Sequence, residues 1–192
     1  MPDPVLHLIA GPNGSGKSTL WELVLGPVLL LEFVNADAIA AQHWPDDPMA
    51  HAYEASTAAT ERRAELIAKR RSFATETVFS HDSKIDLVTS AAENGYLVTL
   101  HIVAVPLELA VARVSNRVEN GGHAVPLDKI QERYGRLWGH LARAITVVEQ
   151  ARVYDNSAAS KPFRPVAEFE RGASLWADWP AWMPAELQQA TD

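Results

Sequence analysis

The sequence contains no cysteine, which excludes a disulfide framework, a thiol nucleophile and any thiolate metal site, and fits a reducing compartment. Paired histidines are also missing. None of the seven histidines stands in an H-x-x-x-H or H-E-x-x-H arrangement, so local spacing assembles no zinc site. Long hydrophobic runs are absent as well: the apolar stretch from Val5 to Ala10 has no basic region ahead of it, too short for a signal peptide or a membrane span, and nothing later reaches spanning length. Positive charge is scarce. Seventeen Lys and Arg against twenty-four Asp and Glu leave a net charge of -7, which argues against capture of a polyanion by the whole surface. The expectation is a cytoplasmic protein with no membrane segment, for which nucleic acid is a poor default partner.

What is present suffices for one compact core, since 47% of 192 residues are hydrophobic. Short apolar runs alternate with helical patterns. Val5 to Ala10 reads as a buried strand, Lys17 to Leu25 as a helix stopped by Gly26 and Pro27, and Leu29 to Val34 as a second strand. An alanine-rich stretch from about Met49 to Arg71, free of Gly and Pro, reads as a long helix leading into a third strand, Ser72 to Glu76. Residues 83 to 93 read as a helix capped at Asn94 and Gly95, Tyr96 to Val105 as a strand, and Pro106 as the opening of a helix that breaks at Gly121 and Gly122. A helix from Pro126 toward Gln150 and a short strand, Arg152 to Tyr154, complete the pattern. This order predicts an α/β fold: an open, mostly parallel five-stranded sheet with helices on both faces. Residues 1–160 would form the main domain, with a helical lid at about 113–140. Residues 161–192, rich in proline and carrying Trp176, Trp179 and Trp182, would form a small appendage, a hairpin or irregular, with the tryptophans as its core anchors.

The strongest motif is Gly11, Pro12, Asn13, Gly14, Ser15, Gly16, Lys17, Ser18, which matches G-x-x-x-x-G-K-[ST] between a strand and a helix. Main-chain N–H groups of such a loop wrap a β-phosphate, and glycine is needed where a Cβ would block the turn or the phosphate. Lys17 would bridge β and γ oxygens, Ser18 would ligate Mg²⁺, and Thr19 continues the nucleotide-binding segment. ATP or GTP as phosphoryl donor follows, and with it an α/β fold of the P-loop NTPase kind. The helix beginning at Lys17 adds its positive dipole end. A transporter-type ATPase is excluded, because no LSGGQ-like signature occurs and the strand LVTLHIVAVP ends without a carboxylate.

Around the loop, Asp37 follows the second strand, where open α/β sheets place ligand-binding groups. It reads either as a general base for an acceptor hydroxyl or as a helix N-cap before Ala38. Glu76 ends the third strand and reads either as part of a Mg²⁺ shell through water or as a holder of a substrate hydroxyl. Thr77 and Ser80 are neighbouring donors, or caps of the next helix. Arg113, Arg117, Arg133 and Arg136 sit at helical spacings on either side of the Gly121–Gly122 hinge, so that they read as solvated helix faces or, together, as a lid closing on the transferring phosphoryl group. His81 and His123 lie in the same segments.

In this order, GPNGSGKST, FVNADAIA, SFATETVFS, RVENGGHAVP with QERY after it, and VYDNS resemble the zeta toxin family of P-loop kinases, in particular its small single-domain bacterial branch. That resemblance implies an enzyme that 3'-phosphorylates UDP-N-acetyl amino sugars, chiefly UDP-N-acetylglucosamine, with a separate antitoxin polypeptide. It implies Asp37 as the base, Lys17 and Ser18 as nucleotide and Mg²⁺ residues, Glu76 as the acidic substrate-binding residue, and Arg117 and Arg133 as the lid arginines; Thr77, Ser80, Arg113 and His123 are expected on the substrate side from the segments in which they stand. The larger members of the family follow the substrate glutamate with Gly and Thr, whereas Thr77 and Val78 follow it here. The competing readings are a metabolic or nucleic-acid-end kinase with another acceptor, and a nucleotide-dependent switch with none.

Overall fold

A computed structural model describes residues 2–119 and 125–191. Its elements alternate along the chain: β1 (Val5–Ala10), α1 (Lys17–Leu20), a π-helical stretch (Trp21–Leu25), α2 (Gly26–Leu29), β2 (Glu32–Val34), α3 (Ala36–His43), α4 (Ala52–Ala68), β3 (Phe73–Thr77), α5 (Ser83–Glu93) and β4 (Leu97–Ala104). There follow α6 (Leu107–Glu119), α7 (Leu127–Ile145), β5 (Gln150–Asp155), β6 (Arg164–Glu170), β7 (Ala173–Ala177) and α8 (Ala185–Gln188). All seven strands form one sheet in the order β2-β3-β1-β4-β5-β6-β7. The first five are parallel, as alternating strands and helices require, and β6 and β7 are antiparallel. The carboxyl ends of the parallel strands therefore share one edge, and it carries Gly11, Asn35, Glu76 and Asn156.

Three local expectations change. Gly26 and Pro27 do not stop the first helix, which runs on to a left-handed cap at Leu30 (φ 52). The widened turn, in which the Gly26 N–H reaches the Trp21 carbonyl, admits a proline whose missing donor would break a regular helix, and it shortens the second strand to three residues. The sheet has seven strands rather than five, because the C-terminal hairpin does not sit on the sheet but extends it, pairing β6 with β5 from Gln150 to Asp155. Trp176 is not a core anchor: it is 42% exposed on the outer strand β7. Trp179 and Trp182 are half-buried and pack against the main core, Trp179 against Phe169.

The larger core cluster lies on one sheet face, built from Leu6 and Leu8 of β1, Leu100 and Ile102 of β4, and Leu137, Leu141 and Ile145 of α7. The opposite face holds a smaller cluster of Ile9, Leu20, Val103 and Tyr154, with Trp21, Leu25, Phe33 and Phe163 packed on it. Beside that cluster a polar chain crosses three strands: His7 Nδ1 lies 3.0 Å from His101 Nε2, and His101 Nδ1 lies 3.2 Å from the Tyr154 hydroxyl. Burial, reinforced by His7 and Arg152, pushes His101 down to about 3 from 6.5. The unfolded chain therefore takes up this proton first. The contribution of the neutral ring to stability is complete above pH 6.5 and is lost as pH falls toward 3. Urea melts between pH 7 and 4 should show His101→Gln lacking a part of the decline worth about 1.4 kcal/mol per pH unit; an unchanged slope would mean that the ring does not titrate with folding.

Candidate active site

The loop after β1 is locked by contacts from distant parts of the chain. Gly14 (φ 74) and Gly16 (φ 94) adopt left-handed conformations, and a Cβ on Gly14 would lie 2.6 Å from the Ala110 carbonyl oxygen and on Gly16 2.6 Å from Asn156 Nδ2. Asn156, at the end of β5, donates from that nitrogen to the Ser15 carbonyl at 2.8 Å. Arg113 of α6 donates to the Asn156 carbonyl at 3.0 Å and reaches the Gly14 carbonyl at 3.5 Å. Arg113, expected on the substrate side, thus spends its guanidinium on bracing the loop.

Lys17 is buried, and its Nζ donates to the Gly11 and Pro12 carbonyls at 3.1 and 3.0 Å. Burial lowers its pKa below the usual lysine range; Glu76 and Asp37 oppose that shift and Arg117 adds to it. The Ser18 hydroxyl donates to the Glu76 carboxylate, 3.0 Å from Oε2 and 3.2 Å from Oε1. One carboxylate therefore meets the hydroxyl beside the loop lysine and is felt by the ammonium itself.

Asp37 is not an N-cap. Asn35 holds that place, its Oδ1 accepting from the Ala38 N–H at 2.9 Å, which leaves Asp37 exposed in the first turn of α3 on the wall of the same cavity. The Thr77 hydroxyl accepts from the Phe79 N–H at 3.2 Å. Phe79 is wholly buried and left-handed (φ 64), a conformation that costs a bulky residue about 1–3 kcal/mol. Its strain shapes the turn that carries Ser80 and His81 to the cavity.

The cavity has a volume of about 970 Å³. It brings together Asn13, Gly14, Gly16, Lys17, Ser18, Thr19, Asp37, Glu76, Thr77, Ser80, His81, Arg113, Arg117 and Arg133. Gly11, Pro12 and Ser15 of the same loop are buried. Arg136 faces a second cavity with Ser80, His81 and His140 and pairs with Glu132 at 3.4 Å. His123 and the Gly121–Gly122 hinge lie outside the described residues. Sequence reasoning missed Ser56, Lys84, Asn156 and Phe163, which also line the cavity. Asn156 stood in the VYDNS segment at a strand end, a position with a signal; Ser56 and Lys84 look like ordinary helix-surface residues.

Comparisons place this geometry among known proteins. Residues 6–137 match the family described as AAA domain, a span that covers the loop after β1, Asp37, Glu76, Arg117 and Arg133. The chain belongs to that family. An uncharacterised protein of Haemophilus influenzae is 33% identical to this AAA-domain chain over 125 residues, 65% of this chain and 88% of its own length. Among solved structures, the AvrRxo1-ORF1:AvrRxo1-ORF2 complex is similar both with sulphate and with ATP, at TM-scores of 0.72 and 0.71 and 19% identity. The alignments cover 91% and 98% of this chain but only 61% and 64% of that one. The PezAT chromosomal toxin-antitoxin system of Streptococcus pneumoniae is similar at a TM-score of 0.63 and 16% identity, over 99% of this chain and 85% of that one. At these identities the likeness is one of fold, that of P-loop kinase-like proteins. No helix among the described residues is long and apolar enough to cross a membrane.

Proposed function

We propose that this protein is a nucleoside-triphosphate-dependent kinase that moves the γ-phosphoryl group to a hydroxyl of a UDP-N-acetyl amino sugar, in the manner of the zeta toxins. The observation that carries the reading is the single cavity in which Lys17, Ser18, Glu76 and Asp37 meet. At about 970 Å³ it stands at the top of the range of a single-ligand pocket, room for a nucleotide tail and an acceptor together; a switch without an acceptor has no use for the second half.

The loop N–H groups and Lys17 hold the β- and γ-phosphates of ATP or GTP, and release of the Lys17 ammonium from the Gly11 and Pro12 carbonyls frees it for them. The donor set suits Mg²⁺: the Ser18 hydroxyl and the Glu76 carboxylate are hard oxygens beside the phosphate seat. An ion of this kind is held by one or two protein oxygens together with phosphates and water. The ion would neutralise charge on the phosphate oxygens. Asp37 accepts the proton of the acceptor hydroxyl while its oxygen bonds to the γ-phosphorus and the bond to the β–γ bridging oxygen breaks. Arg117 and Arg133, from the two lid helices, meet the charge on the transferring group. Glu76, Thr77 and Ser80 lie toward the acceptor.

The PezAT likeness also supports a toxin-like role with a partner polypeptide that covers the nucleotide seat. The test is transfer of label from γ-labelled ATP or GTP to a panel of UDP-N-acetylglucosamine, neutral sugars, nucleosides and 5'-hydroxyl oligonucleotides. Labelled UDP-N-acetylglucosamine is the expected product. Label found on another acceptor alone, or only in inorganic phosphate, would reject this acceptor.

A further inference from the structure

The cavity walls carry five cationic side chains, Lys17, Lys84, Arg113, Arg117 and Arg133, against two carboxylates, Asp37 and Glu76, in a chain of net charge -7. Four of the five have an evident use. Lys17 belongs to the phosphate loop, Arg113 braces it, and Arg117 and Arg133 come from the lid helices. Lys84 stands apart. It lies in the first turn of α5, after the strained turn at Phe79, and its side chain is half-buried.

A second cation, Arg63 of α4, is half-buried and donates from Nη2 to the Thr60 hydroxyl at 2.8 Å. Burial first, and Arg63 second, lower the Lys84 pKa; burial also lowers that of Arg63. Ser56, Thr60 and Arg63 follow one another at helical spacing on one face of α4, with the Thr60 hydroxyl donating to the Ser56 carbonyl at 2.9 Å. Ser56 lines the cavity. Among the described residues neither Lys84 nor Arg63 has a carboxylate partner. Two neighbouring, partly desolvated cations without an anion are unfavourable in the empty protein, and a bound anion offsets that cost.

Their place in the sheet says which ligand. Ser18 and Glu76 mark the γ-phosphate end of the loop, so the nucleoside extends toward Asn156 and Phe163 on the β5 side. Ser56 and Lys84 belong to α4 and α5, which precede and follow β3 on the opposite side of β1. We propose that Lys84, backed by Arg63 and flanked by Ser56, seats an anionic group of the acceptor, a phosphate or a carboxylate, at the cavity end remote from Asn156 and Phe163. This rests on the kinase reading and adds to it the side chain that holds the anion of the acceptor, which in a UDP-N-acetyl amino sugar is the diphosphate.

The test is calorimetric titration of the full chain, saturated with magnesium adenylyl imidodiphosphate, with N-acetylglucosamine 1-phosphate, glucuronate and neutral N-acetylglucosamine. The phosphate or the carboxylate probe should bind at least about tenfold tighter than the neutral sugar, the scale of one charge-assisted hydrogen bond, and whichever does so names the source of the anion. That preference should fall about tenfold in Lys84→Gln, survive in Lys84→Arg, and fall by a smaller factor in Arg63→Gln. Binding of the nucleotide analogue by each variant reports that it is folded. Equal affinity for charged and neutral probes, no binding of any probe, or a preference undiminished in Lys84→Gln would overturn the proposal. Failure of the wild type to bind the analogue would instead strike the kinase reading, and the anion preference would still be read on the nucleotide-free protein.

Discussion

Replacing Lys17 with methionine is expected to remove the thermal stabilisation that magnesium ATP confers, while leaving the nucleotide-free protein as stable as the wild type or more so. Both halves follow from one environment. The Lys17 ammonium is buried and held by two carbonyls, and burial is the leading cause of its lowered pKa. Such a cation opposes folding until a phosphate arrives, and an apolar side chain of similar length has no desolvation cost to meet. A ligand at a hundred times its Kd adds about 2.7 kcal/mol, a rise of roughly 5–10 °C for a domain of this size; the variant should show none, and its turnover should fall by about 10³-fold or more. The pH dependence has a definite sign. Because the folded pKa lies below the unfolded value of 10.5, the unfolded chain binds the extra proton, and stability gains from this group as pH rises through the window between the two. Melts of both proteins with and without magnesium ATP decide the matter: a variant still stabilised by the nucleotide would show that Lys17 does not hold it.

Asp37→Asn separates binding from chemistry. Asparagine keeps the size and the helical position while losing the ability to accept a proton, and Asn35 already caps the helix, so neither fold nor cap is disturbed. Phosphoryl transfer should fall by about 10²–10⁴-fold, with magnesium ATP stabilising the variant as it does the wild type. Single-turnover transfer of labelled phosphate measures this directly. Transfer at the wild-type rate would remove Asp37 as the base, and loss of nucleotide binding would show that its charge serves the phosphate site instead.

Much of the parallel fold was legible because its signals are local. Val5–Ala10 is a short apolar strand running into a glycine loop, and Leu97–Ala104 is a longer one, buried from Leu100 onward; β-strands of both kinds announce themselves by composition. The first helix misled for an equally local reason: Gly26 and Pro27 are stop signals in a regular α-helix, and only the π-turn before them lets the helix pass. For residues 161–192 the sequence leaves a hairpin and an irregular appendage both open and gives no sign of the attachment, since edge pairing with β5 depends on which strand is left uncovered when the sheet is complete.

The sequence alone determined that this chain carries a phosphate loop between a strand and a helix, because the glycines, the lysine and the serine act through their own backbone and immediate neighbours. The tertiary structure decided which of the remaining polar residues gather around it. Asn156 and Arg113 lie 141 and 99 residues from the loop carbonyls they hold. Ser18 and Glu76 meet across 58 residues, and Ser56 and Lys84 reach one cavity from separate helices. Such pairings leave no periodicity or spacing in the chain; they arise only when parallel strands bring their carboxyl ends to one edge of the sheet.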